Sequence, residues 1–171
     1  MTQNHFSLFG LPTAFDLDPA ALSATYLKLA AACHPDKFAG ASAFEQRQSL
    51  MMASTVNEAY RTLQQPLDRA SYLLSLQGID ADDPLHTQFE PEFLMQQMSW
   101  RESLEEAQQA QDVPALLALA DDVQADLSKL LTTLSTTFQQ EDYATAATLV
   151  RQGRFMDKIT QQVHQALDAV A

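Results

Sequence analysis

The chain has 171 residues, 46% of them hydrophobic, and a formal net charge of −12. This length suits one ordinary domain or two small ones, and the apolar content is too high for a disordered chain. The strong negative charge argues against nucleic acid as a partner, because binding to phosphates needs a basic surface.

Membrane, export and redox signals are absent from the sequence. No apolar run approaches the roughly 18 to 20 residues that cross a bilayer, and the first ten residues lack the basic and apolar regions of a signal peptide. We therefore expect a cytoplasmic protein with no membrane partner. Cys33 is the one cysteine, which excludes an internal disulfide and a CxxC site.

The negative charge is concentrated in the second half of the chain. Residues 1–78 hold five Lys+Arg and six Asp+Glu, whereas residues 79–171 hold five and sixteen. The two halves therefore face water and partners differently.

The first half predicts an all-α domain over 1–78. Asp18 and Pro19 open a helix that must end near His34, because Pro35 drives the preceding residue out of the helical region. A loop is expected from 34 to 40, and a helix from about 42 to 65. That helix has apolar residues at helical spacing: Phe44, Met51, Met52, Val56, Ala59, Tyr60 and Leu63.

The second half predicts a helical bundle. Residues 79–90 are acidic and turn-prone, which is typical of a linker. Helices are expected over 91–109, 113–140 and 143–170, and the last carries a heptad seam of Leu149, Met156, Val163 and Val170 with Gln152, Ile159 and Ala166 between them. Three amphipathic helices with short connections predict an antiparallel three-helix bundle over 91–171.

The tripeptide His34-Pro35-Asp36 lies between two helices that can pack as an antiparallel pair. Proline stiffens the loop, and the Asp36 carboxylate is free to pair with an arginine of a partner, a contact of about 1.5–3 kcal/mol. By itself the tripeptide is also consistent with an ordinary proline turn.

The context of the tripeptide is more specific. The sequence contains, in order, Phe6-Ser7-Leu8-Phe9-Gly10-Leu11-Pro12, Cys33-His34-Pro35-Asp36-Lys37-Phe38, Asn57-Glu58-Ala59-Tyr60-Arg61-Thr62-Leu63, then Pro66, Arg69-Ala70 and Tyr72-Leu73-Leu74. Over residues 4–78 this arrangement resembles the J-domain (DnaJ) family. The run from Ala70 to Gly78, the segment from Phe93 to Met98 and the helical second half resemble one branch, the HscB co-chaperones of iron–sulfur cluster assembly, in a bacterial form.

The resemblance implies a non-enzymatic co-chaperone. Such a co-chaperone would stimulate the ATPase of an HscA/DnaK-class chaperone through His34, Pro35 and Asp36, with Lys37 and Lys28. In the family the helix before the tripeptide usually carries several Lys and Arg, but residues 19–33 contain only Lys28. We therefore expect weaker electrostatic steering, seen mainly as a slower association rate.

The helix over 91–109 has apolar residues on two faces. On a helical wheel Phe93, Gln97, Trp100, Leu104 and Ala107 fall within about 80° of one another, as a core stripe does. Leu94, Met95 and Met98 lie elsewhere, beside Glu102 and Glu106. Either a third helix or the first domain covers them, or they form a binding patch with an apolar centre and an acidic rim.

The resemblance favours the binding patch. It implies that an IscU-type scaffold protein binds at Leu94, Met95, Met98, Glu102 and Glu106, together with Phe155 from the last helix, which lies about 80° off the heptad seam.

Two other functions stay open from the sequence. One is a general DnaJ-like co-chaperone for unfolded clients, and the other is an enzyme that uses Cys33 or a pair of carboxylates. Phosphate-binding loops and calcium-loop spacings are absent, so we expect neither a cofactor nor a metal ion.

Overall fold

The computed structural model describes residues 3–86 and 88–170, and its regular elements there are helices, with no strand. The α-helices are α1 (His5–Leu8), α2 (Pro19–Ala32), α3 (Ala43–Gln64), α4 (Pro66–Leu76), α5 (Pro91–Ala110), α6 (Val113–Gln139) and α7 (Tyr143–Val170), with a 3₁₀ helix over Pro35–Phe38. This confirms the all-α prediction. Met1, Thr2, Thr87 and Ala171 belong to the predicted domain and linker ranges but lie outside the described residues.

The chain divides into two compact units between Leu73 and Leu74, within α4. The domain limits at 78 and 91 and the linker between them stay predictions. In the second unit, the beginning of the 79–90 segment is bound to α7. Arg151 Nε donates to the Ala81 carbonyl at 3.2 Å, and the Arg154 guanidinium contacts both Asp82 carboxylate oxygens at 3.0 and 3.2 Å.

In the first unit, α2 and α3 form an antiparallel pair. The Asp18 carboxylate caps α2 by accepting the Ala20 N–H at 2.9 Å, with Pro19 at the first helical position. The Tyr26 ring stacks on Tyr60 with centroids 4.0 Å apart, and the Tyr26 hydroxyl donates to Asn57 Oδ1 at 2.7 Å. These contacts hold the two helices at a fixed register.

The apolar stripe predicted for α3 is wrong over the first half of the helix. Phe44, Met51 and Met52 are exposed, and the buried positions are Ser49, Val56, Ala59 and Leu63. Phe44 is exposed because the Ser49 hydroxyl already contacts the Cys33 carbonyl at the end of α2, so the residues before Ser49 extend beyond α2. Met51 and Met52 follow Ser49 and lie beside α2. Together with Phe44 they line an open apolar groove of about 900 Å³.

The second unit is a bundle of α5, α6 and α7. The predicted α5 core stripe is confirmed, since Phe93, Gln97, Trp100, Leu104 and Ala107 are all buried. The chain turns between helices through left-handed residues, Gln111 at φ 51° and Glu141 at φ 57°. These sharp connections allow the three helices to pack side by side.

The seam predicted along α7 is right in the second half of the helix and wrong in the first. Met156, Ile159, Val163 and Ala166 are buried as expected. Earlier in the helix the buried positions are Ala146, Ala147, Val150 and Gly153. Leu149 and Gln152 are only half-buried, as is Val170 at the end. The strict heptad fails because α7 packs against both α5 and α6, which needs a broader buried face than a two-helix seam.

Candidate functional site

The tripeptide loop, residues 34–40, is held at both ends by α3. At its start the Ser49 hydroxyl, which is buried, donates to the Cys33 carbonyl at 3.2 Å. At its end Gln46 Nε2 lies 3.1 Å from the Phe38 carbonyl oxygen, 3.3 Å from that of Ala39 and 3.4 Å from that of Ala41. Carbonyls left free where helices end are therefore paired with side chains of the neighbouring helix.

The loop is not irregular throughout, because Pro35–Phe38 forms a 3₁₀ turn with His34 as its N-cap. The Asp36 backbone N–H donates to His34 Nδ1 at 3.2 Å, which leaves the proton of a neutral imidazole on Nε2. The same Nδ1 lies 3.6 Å from Asp36 Oδ2. That contact becomes an ion pair only on protonation of Nδ1, which breaks the backbone bond.

The tripeptide presents its polar groups to solvent. The Asp36 side chain is 92% exposed and the His34 side chain 58%. Lys37 is exposed in the same loop, and Lys28 is exposed on α2, within the last turns before the loop. All five residues predicted to contact a chaperone are therefore exposed, four of them in the loop and Lys28 on α2.

A second candidate surface lies on α5. Leu94, Met95 and Met98, named here the α5 patch, are 43%, 71% and 70% exposed. The other helices of the bundle therefore do not cover them. Glu102 and Glu106 are also exposed, one and two turns further along the helix, as the predicted acidic rim requires.

Phe155, on α7, is the one residue of the predicted scaffold-binding set that does not lie on α5. It is half-buried. Its ring stacks on Trp100 with centroids 6.3 Å apart and meets Phe93 edge-on at 5.9 Å, while the Arg101 guanidinium lies 5.2 Å above it. Phe155 thus links the bundle core to the surface of α5.

Sequence reasoning missed the residues that support these surfaces. Ser49 and Gln46 are polar residues on α3 that no motif marks, and Arg101 follows the core residue Trp100 with no distinguishing pattern. Only their spacing relative to the loop and to Phe155 in the folded chain gives them a role. No group of three or more His, Cys, Asp or Glu within 3–86 and 88–170 is arranged to hold a metal ion.

Comparison with known proteins agrees with this geometry. The family model described as the HSCB C-terminal oligomerisation domain matches residues 89–164. A Neisseria meningitidis protein named co-chaperone protein HscB homolog is 54% identical over 95% of this chain and 98% of its own. A Burkholderia multivorans protein of the same name is 44% identical over 95% and 93%.

Solved structures agree as well. The chaperone HscB from Vibrio cholerae superimposes with a TM-score of 0.87 at 38% identity, over 99% of this chain and all of that one. The human co-chaperone protein HscB gives a TM-score of 0.90 at 30% identity, over 96% and 82%. The fold and the tripeptide loop thus define a J-domain co-chaperone. Within that class, the chain belongs to the HscB family, which serves iron–sulfur cluster assembly.

None of the helices in the described part of the chain combines the length and apolarity that a membrane span needs.

Proposed function

We propose that this protein stimulates the ATPase of an HscA/DnaK-class chaperone and delivers an IscU-type scaffold protein to it, in the cytoplasm. The observation that supports the proposal best is the presence of two exposed recognition surfaces of different chemistry, one in each unit. The first is polar and rests on three consecutive residues, and the second is apolar and rests on one helix. A carrier that joins two proteins needs two such surfaces.

The tripeptide loop has the chemistry of a contact with a cationic partner group. Asp36 offers two carboxylate oxygens that no arginine or lysine of the described chain pairs with, and the neutral His34 ring offers its Nε2–H. A bidentate arginine contact to Asp36 contributes about 1.5–3 kcal/mol. The hydrolysis chemistry belongs to the chaperone, and the loop acts by binding it in one geometry.

The α5 patch has the chemistry of a protein-binding centre. Leucine and methionine supply apolar area that adapts to a partner, and the carboxylates of Glu102 and Glu106 select for a basic surrounding surface. The concentration of negative charge in residues 79–171 extends that preference over the whole unit. We infer that the scaffold presents an apolar surface bordered by Lys or Arg.

The experiment measures scaffold binding by isothermal titration calorimetry for the wild type and for Leu94→Ala. We expect Leu94→Ala to weaken binding about tenfold or more, as central interface residues do. Leu117→Ala is the matched control, because Leu117 is a leucine of similar exposure, 51%, on α6. Equal effects of the two substitutions would contradict a specific patch.

The same variants address the alternative, a general co-chaperone for unfolded clients. An unfolded chain bound nonspecifically would depend little on Leu94, and it would compete with the scaffold. An excess of a reduced, unfolded test protein should therefore leave scaffold binding unchanged if the proposed function is correct.

A further inference from the structure

The methionines of the described residues differ sharply in exposure. Met51, Met52, Met95 and Met98 are exposed, whereas Met156 is 6% exposed in the bundle core. A peroxide must reach the thioether sulfur to oxidise it, so the exposed methionines should react first. The buried Met156 therefore serves as a slow-reacting reference for the exposed methionines of the same chain.

Two of these methionines share one face of α5 with Leu94. Met95 and Met98 are 71% and 70% exposed, against 43% for Leu94. They are two of the three side chains in the α5 patch, and therefore the apolar character of the patch depends on the oxidation state of their sulfur atoms.

We infer that Met95 and Met98 are an oxidation-sensitive modification site, at which a peroxide converts the thioethers to sulfoxides and releases the scaffold. The inference rests on the proposed scaffold-binding function of the patch. In each reaction a sulfur lone pair attacks one peroxide oxygen, an S–O bond forms and the O–O bond breaks. The other oxygen leaves as water after taking up the transferred proton. Sulfur is oxidised by two electrons, and the peroxide is reduced.

A sulfoxide changes the patch because it adds a strong acceptor where an apolar contact is needed. The rim residues Glu102 and Glu106 have carboxylates that are acceptors themselves and cannot satisfy it. The nearest cation along the helix, Arg101, already lies over the Phe155 ring. Burying one unsatisfied acceptor weakens association by about tenfold or more.

The experiment uses the full chain, hydrogen peroxide and an IscU-type scaffold. Peptide mass spectrometry follows the addition of one oxygen to each methionine, circular dichroism follows helicity, and calorimetry gives scaffold affinity before and after treatment. We compare the wild type with Met95→Leu/Met98→Leu, which removes both sulfurs with little change of volume. The matched control is Met51→Leu/Met52→Leu, which removes two exposed sulfurs from the first unit.

We expect peroxide to lower the scaffold affinity of the wild type and of the 51/52 variant about tenfold or more with helicity unchanged. The affinity of the 95/98 variant should be the same before and after treatment. Methionine sulfoxide reductases should restore the wild type, because sulfoxide formation is reversible.

Three results would overturn the inference. In the first, Met95 and Met98 are oxidised without loss of affinity. In the second, they react no faster than Met156. In the third, the 95/98 variant loses affinity as the wild type does. A failure of the proposed function looks different, because the untreated wild type would then not bind the scaffold, or would bind it independently of Leu94.

Discussion

The tripeptide loop and the α5 patch differ in how much of the fold supports them. The loop is a short segment held to α3 by hydrogen bonds from Ser49 and Gln46. The patch lies on a 20-residue helix whose opposite face is buried in the bundle core. A surface that depends on a few hydrogen bonds can lose its geometry without unfolding, whereas a surface on a packed helix loses its geometry when the core loosens.

The difference matches the kinds of contact that each surface offers. A charge-assisted bond at Asp36 is directional and depends on small displacements of the loop. Apolar contacts at Leu94, Met95 and Met98 tolerate small shifts but need a continuous area. In the first unit we therefore expect substitutions that lower ATPase stimulation without lowering the unfolding free energy. In the second unit we expect scaffold binding and the unfolding free energy to fall together.

The largest effect is expected for Trp100→Ala, which removes a buried ring that contacts both Phe93 and Phe155. The bundle should lose about 3–5 kcal/mol of unfolding free energy, measured by urea denaturation, and scaffold binding should fall with it. Stimulation of the chaperone's ATPase in the absence of scaffold should persist, because the tripeptide loop belongs to the other unit. An equal loss of scaffold binding and of ATPase stimulation would contradict the view that the two surfaces depend on different units.

Gln46→Ala tests the loop. Water can replace the amide at the exposed Phe38, Ala39 and Ala41 carbonyls, so the unfolding free energy should change by less than about 0.5 kcal/mol. Stimulation of hydrolysis should nevertheless fall several-fold, because the loop is no longer fixed. The control is Gln64→Ala, an exposed glutamine at the other end of α3. Unchanged stimulation by Gln46→Ala would show that α3 does not position the tripeptide.

Gln97→Met tests the core beneath the patch. Gln97 is buried, and its Nε2 has no hydrogen-bond partner among the described residues. An apolar side chain of similar length should raise the unfolding free energy of the bundle by about 1 kcal/mol. A lower unfolding free energy would show that the amide is satisfied in solution, for example by a water molecule.

The smallest effect concerns pH and the first unit. The His5 ring stacks on Tyr72 with centroids 4.2 Å apart, and partial burial lowers the pKa of His5, with Glu58 opposing. Because the folded pKa lies below the unfolded value of 6.5, the unfolded chain binds the proton first as the pH falls. Stability of the first unit should therefore decrease slightly below pH 6.5.

Hydrogen exchange in α1 and α4, compared above and below that pH, measures this loss. His5→Phe should reduce the pH dependence of the first unit's stability. Replacing His164, an exposed histidine of the second unit, should leave that pH dependence unchanged. A dependence that survives in His5→Phe would assign it to other groups.

Much of this organisation was predictable from the sequence. Asp18, Pro19 and Pro35 mark the limits of α2, and the spacing of Phe93, Trp100 and Leu104 identifies the buried face of α5. Because the buried face was predicted correctly, the prediction that Leu94, Met95 and Met98 lie off it was also correct.

Other features depend on tertiary neighbours that a single helix does not reveal. Phe44, Met51 and Met52 have helical spacing, but they line an open apolar groove and stay exposed. Phe155 lies off the heptad seam, yet Phe93 and Trp100 fold against it. Periodicity shows which residues share a face, and only the opposing element decides whether that face is buried.

The most direct test is single-turnover ATP hydrolysis by an HscA-type chaperone with its scaffold, comparing this protein with its His34→Gln variant at equal helicity. The account predicts strong stimulation by the wild type and its loss in the variant, since glutamine keeps a polar side chain but not the imidazole that accepts the Asp36 N–H. A wild type that fails to stimulate, or a variant that stimulates equally, would contradict the assignment of the loop as the chaperone-activating surface.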